Sequence, residues 1–425
     1  MDFIYSGLES HLEAGYMSLF ETDTNVFANE RALMEEWVPE RLPERESELE
    51  AIAKGFRTTI RSGIEPKNVL ISGKTGQGKT VTARVVLQEL HDYCQQQDIA
   101  LTTYEVSLKD VSTAYQAVGK LLVELEPETD ERPKGLSLTD LNDRLFRRLD
   151  EIGGYVVFFL DEIDNLGADD DLLYQLPRAR SNGYITDAHV SVIGISNDLQ
   201  FSEQLSAKTR DSLYENEVHF DPYDATELRS ILDQRVSVAF KSGTVNESVL
   251  QLAAAWTAKD TGSARQAIRL LHEAGDIACV EGSETVTKEH LEEARDELED
   301  INIVNKLQDL TINDQALLLA LAILESRNAT PAQTKEIYSE YKRVTNAVDI
   351  DQLTARSIRD KLTNLDTYNL AMAHKKTGGR EGGEYYVTEL RVNLESLLEG
   401  FDRVDRFEEI VSDIESFSSQ STLSG

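Results

Sequence analysis

The sequence predicts an α/β domain with a mostly parallel sheet, then an all-helical domain, then a helical domain that closes on a two-stranded hairpin. Three observations carry this. Short apolar runs alternate with amphipathic stretches up to about residue 223, strand signals stop after Asp224, and a Gly-rich turn between two short strands follows three more helices. A chain of 425 residues is long enough for two or three domains with separate cores.

Residues 1–44 carry scattered aromatics and the punctuation Pro39 and Pro43, and read as an extended arm that packs on the next domain. Residues 45–223 hold the α/β pattern. A helix from Arg45 to Ser62 leads to the apolar strand Val69 to Ser72, and further strands are expected at Leu101 to Ser107, Tyr155 to Leu160, Val190 to Ile195 and Glu217 to Phe220. Helices Val81 to Gln97 and Leu138 to Leu149 lie between them. Residues 224–304 read as four amphipathic helices, Thr226 to Lys241, Asn246 to Trp256, Ser263 to Val280 and Thr287 to Asp300. In residues 305–400 three helices, Asn313 to Leu324, Pro331 to Asn346 and Thr354 to Leu365, precede the hairpin, and residues 401–425 form a tail expected to be partly disordered.

The charge balance is unusual, with 77 Asp plus Glu against 43 Lys plus Arg, a formal −34. The acid is spread along the chain, which favours a surface adapted to a salt-loaded cytosol over one local partner-binding patch. There the Debye length falls to about 3 Å and self-repulsion is screened. Cys94 and Cys279 stand far apart in half-apolar helical patterns and read as buried thiols rather than a disulfide or a zinc site. The acidic start has no apolar signal core, and no apolar run approaches the ~18 residues of a membrane span, so a cytoplasmic protein without a membrane partner is expected.

Gly73-Lys74-Thr75-Gly76-Gln77-Gly78-Lys79-Thr80 matches the phosphate-loop pattern G-x-x-x-x-G-K-[ST] in full, between an apolar strand and the helix that continues with Val81. Its glycines let backbone N–H groups turn inward around phosphates. Lys79 is placed for the β and γ phosphates of ATP, the Thr80 hydroxyl for Mg2+, and the helix start adds positive potential. Val156 to Glu162 is a buried strand that delivers two carboxylates at its end, Asp161 to hold magnesium through water and Glu162 to orient the attacking water. Asn197 ends another apolar strand, where it either helps Glu162 position that water or serves as a turn amide. Arg265 opens a helix in the second domain, and reads either as a γ-phosphate contact or as a surface ion-pair residue.

Leu353 to Leu362 is a helix with Leu353, Ile358 and Leu362 inward and Arg356, Arg359 and Lys361 largely outward. It follows another helix after a short turn, as a recognition helix does. Ala373 to Val387 then reads as strand, Gly-rich basic tip, strand, with Lys375, Lys376 and Arg380 on the wing of a winged helix. Residues 353–391 hold seven basic and five acidic residues, a local +2 in a chain of −34. That reversal favours DNA over a protein-contact role for the fold.

In combination these segments resemble the AAA+ ATPases, and among them the archaeal replication-initiator family related to the origin recognition complex and its cell-division-cycle loading factor. The resemblance rests on Val38 to Glu46, the phosphate loop, Leu160 to Asp164, Leu172-Leu173-Tyr174, Val190 to Asn197, Pro222 to Ala225, Gly262 to Leu271 and Ala274 to Ala278, and covers about residues 25–400. It implies a five-stranded AAA+ core, a helical lid and a C-terminal winged helix that holds origin DNA. It also implies that Tyr223 and Arg235 line the nucleotide, that double-stranded origin repeats are bound, and that the replicative helicase and other initiator copies are partners. Two segments depart from the family pattern. Leu205 to Leu213 has Lys208-Thr209-Arg210 where the family has an arginine that acts on a neighbour's ATP, and Pro177 stands where the family usually has Thr. Arg210 could take that arginine's place on an extended segment but not on a helix. ATP is therefore expected to be held long and turned over slowly, as in a haloarchaeal-type divergent paralogue. The same layout would also serve an ATP-gated transcription regulator or signalling ATPase; a clamp-loader subunit would lack the winged helix.

Overall fold

Five extended segments, the three central ones apolar runs, pair side by side in a computed structural model that describes residues 25–39, 41–128, 135–213, 216–377, 384–402, 404–407, 410–412 and 414. In chain order the first unit, residues 1–291, contains α1 (Glu46–Ser62), β1 (Val69–Gly73), α2 (Lys79–Gln96), β2 (Leu101–Ser107), α3 (Ala114–Leu125), α4 (Leu138–Ile152), β3 (Gly154–Asp161), α5 (Asp171–Gln175), β4 (Ala188–Ser196), α6 (Phe201–Gln204), α7 (Ala207–Leu213) and β5 (Asn216–Phe220). The strand order is β2-β3-β4-β1-β5, all parallel, with Val69 opposite both Ile193 and Asn216. Helices on both faces bury one core around Val156, Phe158 and Leu160 and a second around Ile52, Phe56, Val157 and Phe159. Because the strands are parallel, the ends of β1, β3 and β4 emerge at one edge, where ligands bind in such sheets.

The same unit continues with α8 (Ala225–Ala239), α9 (Glu247–Asp260) and α10 (Ala264–Val280), and α11 (Lys288–Asp309) follows. Asp224 and Glu227 cap α8 reciprocally, which explains why the strand pattern stops there. α11 runs on to Asp309 rather than ending at Asp300, and the division between the two units lies within it. The N-terminal segment also differs from expectation. Its described part packs on the helical domain rather than on the adjacent α/β core. Phe27 bridges Phe240, Ala28 and Asn29 donate to the Ala239 carbonyl, and the Phe27 ring fills the notch that Gly275 leaves in α10. Val26, Phe27, Ala32 and Leu33 are buried there. Cys94 and Cys279 are buried free thiols.

The second unit, residues 292–425, centres on α12 (Ile312–Ser326), an almost wholly buried helix. Around it lie β6 (Ala332–Gln333), α13 (Thr334–Ala347), α14 (Ala355–Thr367), β7 (Ala371–Thr377), β8 (Glu384–Leu390) and α15 (Leu394–Asp402). β7 and β8 form an antiparallel hairpin, and β6 adds to β8 through Ala332–Thr388 and Gln333–Val387. That pairing is why α13 starts at Thr334 instead of Pro331. Within the tail expected from residue 401, Phe401, Phe407, Val411 and Ile414 are buried with Leu397 and Leu398 in this core. The final Ser416 to Gly425 lies outside the described residues.

Candidate nucleotide and nucleic-acid sites

The loop from Gly73 to Gly78 takes a shape only glycine allows. Gly73, Gly76 and Gly78 all have positive φ. A Cβ at Gly73 would lie 2.7 Å from the Phe220 carbonyl, one at Gly78 2.8 Å from the Tyr223 hydroxyl, and one at Gly76 would collide with the Ser263 hydroxyl. Lys74 and Thr75 are exposed on the loop, Gln77 is buried and its side-chain amide has no partner, and Val81 is half-buried on the first turn of α2. Gly78 caps the 18-residue helix α2, whose free N–H groups form an anion site.

Lys79 is 5% exposed and its amine has three acceptors: the Gly73 carbonyl at 2.6 Å, the Lys74 carbonyl at 2.8 Å and Asn197 Oδ1 at 2.8 Å. Burial pushes this amine down to about 8, while Asp161 and Asp164 pull it up. The Thr80 hydroxyl donates to Asp161 Oδ2 at 3.0 Å. A hydroxyl beside a carboxylate is a hard-oxygen pair that suits a small divalent cation. The glycine cradle suits phosphate groups.

Glu162, next to Asp161, stands in the left-handed region at φ 58°, with its N–H donating to Asp161 Oδ1 at 2.9 Å. A non-glycine residue there costs about 1–2 kcal/mol, and such strain concentrates at functional positions. The Asn197 N–H donates to Asp164 Oδ1 at 3.1 Å, which fixes the end of β4. Asn197 thus meets Lys79 rather than Glu162. Arg265 arrives from α10, whose Ala264 N–H donates to the Gly76 carbonyl at 3.0 Å. Its guanidinium is half exposed and pairs with Glu35 at 3.2 Å, so the surface ion pair weighed for it exists, beside the loop.

The two residues that the resemblance places at the nucleotide have the following partners. Tyr223 is buried beneath the Arg45 guanidinium at 3.7 Å, with its ring packed at Gly78; burial pushes its hydroxyl up to about 12. It is a packing aromatic under the loop. Arg235 donates to the Ala32 carbonyl at 2.7 Å and lies over the Trp37 ring at 4.2 Å. It clamps the N-terminal segment, and burial pushes its pKa down to about 10.

Arg45 escaped sequence reasoning as a site residue. It is buried, donates to the Gln77 carbonyl at 3.2 Å and the Asp221 carbonyl at 2.8 Å, and so ties the loop to the end of the sheet. Local periodicity could show only a helix start; the signal was its place in the Val38 to Glu46 segment. Arg210 lies on helix α7, where it donates to the Glu203 and Leu205 carbonyls. On that helix Lys208 and Arg210 point about 200° apart, so the extended-segment substitution is ruled out.

In the second unit Arg356 and Arg359 are exposed on α14, and Lys375 is exposed on β7. Lys376 is on β7, and Arg380 lies outside the described residues. Lys361 is a correction. It turns inward to Asp314 at 2.8 Å and Thr311 at 3.1 Å, because Asp314 is fully buried and needs a cation. His374 pairs with Glu389 at 2.8 Å.

Three known domain families match the chain: the AAA ATPase domain at residues 41–193, the Cdc6 AAA+ ATPase-type lid domain at 229–296 and the CDC6 C-terminal winged helix domain at 305–400. ORC1-type DNA replication protein 15 of Haloarcula marismortui is 38% identical over 390 residues, covering 91% of this chain and 95% of the relative. ORC1-type DNA replication protein 8 of Halobacterium salinarum is likewise 38% identical over 390 residues, covering 91% and 98%. The solved structure of the Aeropyrum pernix ORC1 protein in complex with DNA superposes with a TM-score of 0.76 at 31% identity, covering 92% of this chain and all of that one.

Proposed function

Since this chain belongs to the family of ORC1-type DNA replication proteins, we propose that it is an initiator that binds replication-origin DNA through its winged helix under control of bound ATP. One observation carries the nucleotide half: Lys79, the Thr80–Asp161 pair and Asn197 meet at the loop that Ala264 and Arg265 also reach. Magnesium held by Thr80 and Asp161 would neutralise phosphate charge. Lys79 turns its amine to the β and γ phosphates, and Asn197 keeps it aimed. Glu162, held by its strained backbone at the end of β3, orients and polarises a water. Arg265, once it exchanges Glu35 for phosphate, carries the nucleotide state into α10. With Arg210 donating to the carbonyls of Glu203 and Leu205, ahead of α7, this copy supplies no finger from that segment, and slow turnover follows. The dispersed −34 charge matches a salt-loaded cytosol, in keeping with relatives from Haloarcula and Halobacterium. Among the described residues no helix is long and apolar enough to cross a membrane.

The proton on Lys79 gives a direct test. Its amine titrates near 8 when folded against 10.5 when free, so the folded state binds fewer protons between these values. Stability therefore rises as pH climbs from about 8 to about 10.5, and phosphate, which needs the charged amine, must draw a proton back in. ATP binding should take up a fraction of a proton that grows as pH rises through this range, seen as a calorimetric heat that changes with the buffer's ionisation enthalpy. A buffer-independent heat across this range would mean that the amine is already charged in the free protein, held so by its three acceptors.

For the DNA half, Arg359→Ala should cost about 1–3 kcal/mol and shift site preference through loss of a base-edge contact, whereas Lys375→Ala, Lys376→Ala and Arg380→Ala should weaken all sequences alike by loss of phosphate contacts. Fluorescence anisotropy in molar KCl measures both. Mapping chromosomal sites decides the biological role: one or a few intergenic sites flanked by repeats fit an initiator, and many promoters would mean a transcription regulator.

A further inference from the structure

We propose that Glu30, His272 and Asp276 form a binding site for a single divalent transition-metal ion, of the zinc or manganese class, that fastens the N-terminal segment to helix α10. His272 and Asp276 are one helical turn apart and so share a face. Glu30 reaches the same point from the segment that packs across α10. One ligand atom from each lies within 4.8 Å of the other two. His272 Nε2 is 3.0 Å from Glu30 Oε1 and 3.6 Å from Asp276 Oδ2. Ligand atoms that share an ion at about 2.1 Å stand about 3.0 Å apart in octahedral and about 3.4 Å in tetrahedral geometry, so the His272–Glu30 spacing fits a first coordination shell and Asp276 needs to move only slightly to join it.

Hydrogen bonding alone does not account for the group. A single Nε2–H can serve Glu30 at 3.0 Å, but Asp276 at 3.6 Å is too far for a hydrogen bond. Two carboxylates thus converge on one imidazole nitrogen, an arrangement that a divalent cation satisfies. Imidazole with two carboxylates selects zinc, manganese or their neighbours over the hard all-oxygen preference of calcium.

The ligands are also held in place before any ion arrives. Phe27 packs its ring 5.7 Å from that of His272 and fills the Gly275 notch, the Val26 N–H donates to Cys279 Sγ at 3.4 Å, and Arg235 holds the Ala32 carbonyl. Glu30 is therefore presented by a braced turn, which lowers the entropic cost of closing the site. The ion would lock this segment to the helix whose first residues contact the phosphate loop, while sharing no ligand with that loop.

The test uses the full chain, stripped with chelator and dialysed into molar KCl, titrated calorimetrically with Zn2+ alone and with Mn2+ alone. One ion per chain should bind, zinc more tightly than manganese, with a rise in thermal midpoint. His272→Ala and the isosteric Asp276→Asn should each weaken binding at least tenfold and abolish the rise. Asp276→Asn keeps the volume of the side chain, so it decides the matter if His272→Ala fails to fold. Absence of saturable uptake by the wild-type chain, or uptake unchanged in Asp276→Asn, would overturn the proposal and leave an ion-paired histidine.

Discussion

Lys79→Ala should abolish measurable ATP binding, while Glu162→Gln should bind ATP as the wild type does and lose hydrolysis. Among the described residues the amine of Lys79 is the ammonium that meets the loop carbonyls of Gly73 and Lys74, and removing it takes their donor, and that of Asn197 Oδ1, away. Losing a charge-assisted contact to phosphate costs about 1.5–3 kcal/mol for each hydrogen bond, so two such contacts lower affinity by a factor of at least about a hundred. Glu162 makes no side-chain contact with the loop among the described residues, and its carboxylate acts on water. Nucleotide retention after gel filtration, with phosphate release, reads the two effects separately. The wild-type chain should turn over no faster than about one ATP per minute, well below ordinary enzyme rates, because Arg210 is bonded to the backbone carbonyls of Glu203 and Leu205. Equal loss of binding in both variants would sink the division of roles. Turnover of many per second that falls in Arg210→Ala would restore that residue as a finger.

Lys361→Met should destabilise the C-terminal domain by about 3 kcal/mol without changing which DNA sequence is preferred. Asp314 is fully buried on α12, and Lys361 at 2.8 Å is its cation, with Thr311 as a further donor at 2.5 Å. Removing the cation leaves a carboxylate uncompensated in an apolar core. The low end of the usual 3–5 kcal/mol applies, since Lys361 keeps 28% of its side chain in water. Asp314→Leu in the Lys361→Met background should recover most of the loss, because an apolar pair of similar volume replaces a buried ion pair at little net cost. Thermal unfolding gives the stability and anisotropy on folded protein gives the DNA affinity. If Lys361→Met melts like the wild type and binds DNA as poorly as Arg359→Ala, the outward reading of Lys361 was right after all.

The ion pair with Asp314 shows where reading the sequence reached its limit. Amphipathic spacing placed Arg356, Arg359 and Lys361 on the polar side of α14, and for the first two the exposure agrees. A long side chain at the edge of that face can turn either way, and the choice depended on a carboxylate 47 positions earlier. Arg235 and Arg45 have the same history: their partners, the carbonyls of Ala32, Asp221 and Gln77, belong to segments far away in the chain.

What the sequence determined by itself was whatever is encoded locally: the glycine pattern and positive φ of the phosphate loop, the apolar strands that carry Asp161, Glu162 and Asn197, and the order of sheet, helices and hairpin. These follow from backbone sterics and from hydrophobic periodicity, both of which act over a few neighbouring residues. Only the tertiary structure decided that Asn197 meets Lys79, that Glu35 holds Arg265, that the N-terminal segment lies on the helical domain, and that Glu30 joins His272 and Asp276. Polar pairing satisfies whichever groups the packed core brings together, and that depends on the whole topology, not on spacing along the chain.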